Sequence, residues 1–162
     1  MRFSDLDSLK RTEQTSIEKK GLIVHAIYFQ VACVILLSYF WGFLGVDHSY
    51  FASLGSLSWG FGDTTAGVLG TMYGKKKYRF RIFDHRKTVE GSISMIIIVF
   101  FVALPVLESV IKALSITLLI SLSTAFAGAF IEAVSRRGID TLTVPLSISY
   151  VSYWLFILLG AK

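Results

Sequence analysis

Asp63 stands in Gly62-Asp63-Thr64-Thr65-Ala66, inside an apolar stretch that ends at Lys75-Lys76-Lys77. An unpaired carboxylate in such a stretch costs at least about 2.5–3.5 kcal/mol in a bilayer, so an acid placed there is expected to hold something. On a helix, Asp63, Gly67, Gly70 and Gly74 are spaced four, three and four residues apart and form one stripe. That stripe carries a carboxylate at one end and bare backbone along the rest. The glycines suit either close helix packing, for which Gly70 and Gly74 have the small-xxx-small spacing, or the close approach of a ligand.

A second group follows in Arg86-Lys87-Thr88-Val89-Glu90-Gly91-Ser92. Cations, a hydroxyl, an acid and a glycine at the head of a helix are the parts that hold phosphates. Lys87 would act as a point charge, Thr88 and the first amides of the helix as donors, and Glu90 would turn towards a metal ion. Thr88 or Ser92 would equally serve as an N-cap, and Lys87 with Glu90 as an interfacial pair. Lys75, Lys76, Lys77, Arg79, Arg81, Arg86 and Lys87 crowd one short loop, which makes phosphate a natural partner there.

The elements that must position these groups are membrane helices. The 162 residues are 54% hydrophobic, with mean hydropathy +0.64. Apolar runs of roughly 20 residues recur along the chain, as a bilayer requires. Five spans are predicted at about 22–45, 50–73, 92–110, 113–134 and 142–160. Runs such as Ile96-Ile97-Ile98-Val99-Phe100-Phe101-Val102 do not alternate, which argues against barrel strands. The expected fold is therefore all-α, a polytopic integral membrane bundle forming a single transmembrane domain over 1–162. Residues 1–21 would be a cytoplasmic amino-terminal segment and 74–91 a basic cytoplasmic loop. The first span is too long for the core of a cleaved signal peptide and would remain as an anchor. Cys33, the sole cysteine, excludes an internal disulfide.

A cytoplasmic amino terminus puts Arg2, Lys10, Arg11, Lys19, Lys20, the 75–87 cluster, Arg136 and Arg137 on the cytoplasmic side. Only Lys112 and Lys162 are left outside. Orientation thus explains most of the +5 net charge, which calls for no nucleic acid. In the fourth span, Ser121, Ala125, Gly128 and Glu132 make a small or polar face ending in an acid. Glu132 would either line a polar cavity beneath the basic loop or pair with Arg136 one turn on. His25 reads as a structural imidazole near a helix start, and Trp41, Trp59 and Trp154 as belt or packing residues.

Three ordered blocks carry a resemblance: Gly62 to Lys75, matching GDxxAxxxGxxxGK; Lys87 to Ser92, matching KTxEGS; and Asp140-Thr141-Leu142-Thr143-Val144-Pro145, matching DNLTxPL. The chain resembles the CTP-dependent lipid kinases, a family that includes dolichol kinase, phytol kinase and the CTP-using diacylglycerol kinase. Phosphatidate cytidylyltransferases are distant relatives. Glu132 matches an acid of that family's penultimate helix, and Lys20-Gly21 a Lys-Gly pair at an earlier helix start. Thr141 departs from the family's Asn. Family members also commonly carry further amino-terminal spans and an Arg-Lys…His element, whose spacing Lys19, Lys20 and His25 do not reproduce. A minimal member, an assembly partner and a truncated member are all consistent with that.

The resemblance implies Mg²⁺-dependent transfer of a phosphoryl group from CTP to a lipid alcohol, a polyprenol, phytol-like alcohol or diacylglycerol. Asp63 and Glu90 would be catalytic, and Asp63, Glu90 and Asp140 would hold Mg²⁺. Gly70, Gly74, Lys75, Lys76, Lys87 and Thr88 would bind the nucleotide. The alcohol would enter sideways from the bilayer along the glycine stripe. The alternatives are a cytidylyltransferase acting on a lipid phosphate and a catalytically silent membrane subunit, and assembly with itself or another chain is left open.

Overall fold

The computed structural model describes residues 21–78, 82–85, 87–136 and 138–160. Five long helices follow one another: α1 (Gly21–Phe43), α2 (Ser49–Tyr73), α3 (Val89–Glu108), α4 (Leu114–Val134) and α5 (Asp140–Leu158). The architecture is the expected all-α membrane bundle, with no β-strand longer than a single bridge among the described residues. Helices α1, α3, α4 and α5 are each long and apolar enough to cross a bilayer. Helix α2, with 25 residues, has the length, but its serines, threonines, glycines and Asp63 dilute its apolar character.

The bundle is a ring in which α2 packs on α3 and α5, and α4 on α3 and α5. Small residues let the helices close in. A Cβ on Gly55 would overlap Ser149 and the Pro145 carbonyl of α5, and one on Gly128 would lie 2.9 Å from Ile148 Cδ1. Met95, Val99 and Ile148 fill the interior without solvent exposure. Helix α1 stands against this ring, and only 11% of its most apolar window is buried. Its last seven residues, Leu37–Phe43, wind as a π-helix. That wider turn carries Phe40 into an aromatic cluster with Phe51, Tyr150 and Tyr153, ring centroids 5.4–5.8 Å apart.

Helix ends follow local chemistry. Thr88 caps α3, its Oγ1 accepting from Gly91 N at 3.2 Å, so the helix starts at Val89. Asp140 opens α5 with Oδ1 accepting from its neighbour Thr141 N at 2.9 Å and from Gly138 N at 3.1 Å. Gly138 takes φ 96°, a left-handed turn that suits glycine. Five helices in sequence bring the starts of α1, α3 and α5 and the ends of α2 and α4 to one end of the bundle. The functional side chains gather there.

Candidate active site

A cleft of about 500 Å³ opens at that end. Helix α2 lines it with Asp63, Ala66, Gly67, Gly70 and Thr71, and α1 with His25. The α2–α3 loop contributes Asp84, Lys87 and Thr88, and α3 contributes Gly91 and Ser92. Glu132 closes it from α4 and Asp140 from α5.

Lys87 is its electrostatic centre. Its ammonium pairs with Glu132 Oε1 and lies 3.0 Å from Asp140 Oδ2. Burial by itself would pull the Lys87 pKa down, but Glu132 and Asp140 outweigh that and hold it above the ordinary lysine value. Glu132 Oε2 accepts from Ser92 Oγ at 3.5 Å, and Glu132 is only 3% exposed. Glu132 is therefore a buried member of the cleft, paired with Lys87 and not with Arg136. Asp63 has no hydrogen-bond partner among the described residues, although it lines the same cleft.

The three acids expected to hold metal are not all brought together. Asp63 and Asp140 face the cleft, whereas Glu90 is not among its lining residues. The Glu90 carboxylate instead accepts from the amides of Lys75 and Lys76, each at 3.2 Å. The cause is helical geometry. Gly91 and Ser92 face the cleft, and a step of about 100° per residue turns their predecessor outward to the strand-like segment Lys76–Lys77. There Val89 N donates to Lys76 O at 3.0 Å, and Lys77 bridges Thr88.

Gly74, Lys75 and Lys76, expected at the nucleotide, also lie outside the cleft lining. Thr88 lines it while its Oγ1 accepts from Gly91 N as the α3 cap. The amides of Val89, Gly91 and Ser92 are all donated within the protein, so the head of α3 is a closed cap and not an open phosphate cradle. The glycine stripe divides as well. A Cβ on Gly70 would lie 2.9 Å from Thr88 Oγ1, one on Gly74 would overlap the Gly70 carbonyl, and one on Gly67 meets nothing within 4 Å. Gly70 and Gly74 are packing positions, and Gly67 opens into the cleft.

Residues that sequence reasoning missed as site members are His25, Gly67, Asp84 and Ser92. His25 Nδ1 and Thr141 Oγ1 share a 2.9 Å hydrogen bond. Nothing local signals it, because the partners are 116 residues apart. Arg2, Lys10, Arg11, Lys19, Lys20, Arg79, Arg81, Arg86, Arg137 and Lys162, assigned to orientation or the basic loop, lie outside the described residues.

No three His, Cys, Asp or Glu side chains among the described residues converge to hold a metal ion unaided. Both oxygens of Asp140 are engaged, and Glu132 is tied to Lys87. Asp63 lines the cleft with no hydrogen-bond partner among the described residues, which fits an ion that keeps most of its shell from water and phosphate, as Mg²⁺ does.

No family model and no solved structure matches the chain. A phytol kinase of Synechocystis sp. is 31% identical over 138 residues, which cover 85% of this chain. The chain spans 58% of that relative's length. With three motif blocks in order, and those around Asp63 and Asp140 meeting Lys87 of the remaining one in one cleft, the likeness supports membership of the family of CTP-dependent lipid kinases.

Proposed function

We propose that this chain phosphorylates a membrane lipid alcohol at the expense of CTP, with the cleft facing the cytoplasm. The observation that carries this is the placement of Asp63, without a hydrogen-bond partner among the described residues, in an acid- and lysine-lined cleft at the end of an apolar bundle. A phosphoryl acceptor with a long hydrocarbon chain can leave that chain in the bilayer while its hydroxyl reaches the polar cleft. The relative named a phytol kinase favours a phytol-like alcohol as the first substrate to try.

Phosphoryl transfer asks the protein mainly for charge neutralisation and positioning. Asp63 would hold a Mg²⁺ ion, which supplies charge neutralisation on the phosphates when bound. Lys87 holds Glu132 and Asp140 in place and keeps the local charge from becoming strongly negative, so a polyphosphate can approach. Gly67 leaves room beside Asp63. The exposed Lys75 and Lys76 would draw the nucleotide's phosphates to the mouth. Their backbone is fixed by Glu90.

The test is incubation of the purified chain with γ-labelled or α-labelled CTP, Mg²⁺ and phytol, a polyprenol or diacylglycerol. Label reaching lipid from the γ position supports the kinase. Label from the α position with a lipid phosphate as acceptor would make it a cytidylyltransferase, and label from neither a silent subunit.

A further inference from the structure

Helix α1 contributes one residue to the cleft, His25, and the structure ties that residue down from the far end of the chain. Thr141, 1% exposed, holds the imidazole through Nδ1. Thr141 is adjacent to Asp140, so the α5 turn that anchors Lys87 also anchors His25. Nε2 has no partner among the described residues. Around His25, Leu22, Ile23, Val24 and Ile27 are exposed apolar side chains on a helix of spanning length. His25 thus stands where the exposed apolar surface of α1 meets the polar cleft, which it lines together with Asp63 and Lys87.

When Nδ1–H donates to the Thr141 hydroxyl oxygen, a neutral imidazole is a hydrogen-bond acceptor at Nε2. Polyphosphate needs cations and donors, whereas an attacking alcohol needs an acceptor. Resting on the kinase reading above, we propose that His25 binds the hydroxyl of the lipid alcohol and takes its proton, with Thr141 as the positioning residue. The alcohol oxygen forms a bond to the terminal phosphorus of the nucleoside triphosphate. The bond from that phosphorus to the bridging oxygen breaks, and the nucleoside diphosphate leaves with its electron pair. The hydroxyl proton passes to Nε2 of His25.

The test uses the full chain in lipid nanodiscs with His25→Ala, His25→Gln, Thr141→Val and Thr141→Ser. It reads kcat and KM for phytol, a polyprenol and diacylglycerol, the Kd for CTP with Mg²⁺, and Tm. Glutamine can accept a hydrogen bond but cannot take the proton. His25→Gln is therefore expected to lower kcat by about 100-fold or more while KM for the alcohol stays within about threefold. His25→Ala should lower kcat equally and raise that KM as well. Thr141→Val should cost about tenfold in kcat, the worth of one positioning hydrogen bond, and Thr141→Ser should restore it. Nucleotide Kd and Tm should hold throughout.

Near-unaltered kcat in His25→Gln would overturn the inference. So would losses of kcat, nucleotide affinity and Tm that move in step across the variants, since that pattern marks a latch between α1 and α5. Failure of the unaltered chain to phosphorylate any of the three alcohols would overturn the kinase reading itself, and the inference with it.

Discussion

Lys87 and Asp140 meet at 3.0 Å between the loop ahead of α3 and the first turn of α5, 53 residues apart, while the same ammonium pairs with Glu132 of α4. Three helices that begin or end at the cleft are thereby joined through one side chain. Lys87→Ala would leave two carboxylates uncompensated, and breaking a buried pair in this way costs about 3–5 kcal/mol. With the Lys87 side chain 20% exposed, the lower end is expected. Thermal unfolding in one detergent should show a clear fall in Tm for Lys87→Ala and a smaller one for Lys87→Arg. An unchanged Tm in Lys87→Ala would show that the pairs hold nothing together. The pH dependence has a definite sign. Because the folded value is raised, the Lys87 contribution is complete below the ordinary lysine value of about 10.4 and is lost as pH rises through the higher folded value.

Asp63→Asn should keep the fold and abolish lipid phosphorylation. The amide preserves size, and no hydrogen bond among the described residues depends on the carboxylate. The paired measurements are Tm and transfer of label from γ-labelled CTP. Turnover close to that of the unaltered protein, with a monodisperse sample, would remove Asp63 from any metal role.

Two glycines on one helix should respond differently. Gly67→Leu places a side chain in open cleft and should abolish activity with little change in Tm. Gly70→Ala drives a Cβ to within 2.9 Å of Thr88 Oγ1 and should lower Tm and activity together. Parallel losses at both positions would mean that Gly67 is packed as well.

If Lys75 meets the nucleotide's phosphates, Lys75→Ala should raise the Kd for CTP with Mg²⁺ by roughly ten- to a hundred-fold, the worth of a hydrogen bond to a charged group. Lys10→Ala, in a segment assigned to orientation, should leave it unchanged. Titration calorimetry of both in the same detergent decides. Equal affinities would reduce the loop to a topology signal.

Glu90→Gln tests a different property of that loop. The carboxylate holds the Lys75 and Lys76 amides, and its loss should speed hydrogen exchange at those two positions with no change at the amides of α4. Unchanged exchange at Lys75 and Lys76 would show that the hairpin pairing of Lys76 with Val89 suffices to hold the loop.

The sequence by itself determined the membrane bundle and the places where its helices begin and end. Apolar length, the helical period and caps such as Thr88 are local properties, carried by residues within a turn or two of each other. The acids at Asp63 and Glu132 were legible for the same reason, as charges in stretches that tolerate few, and Asp140 through its motif block. Which of them meet was decided only by the tertiary structure, because contact between helices depends on how each is rotated and on partners far along the chain. A step of about 100° separates Glu90, turned to the loop amides, from Gly91 and Ser92, turned to the cleft. Rotation also sets Gly67 facing open space and Gly70 facing Thr88, although both belong to one stripe. His25 and Thr141 show the limit most plainly: each alone is an ordinary polar residue at a helix start, and only the packing of α1 beside α5 makes them a pair.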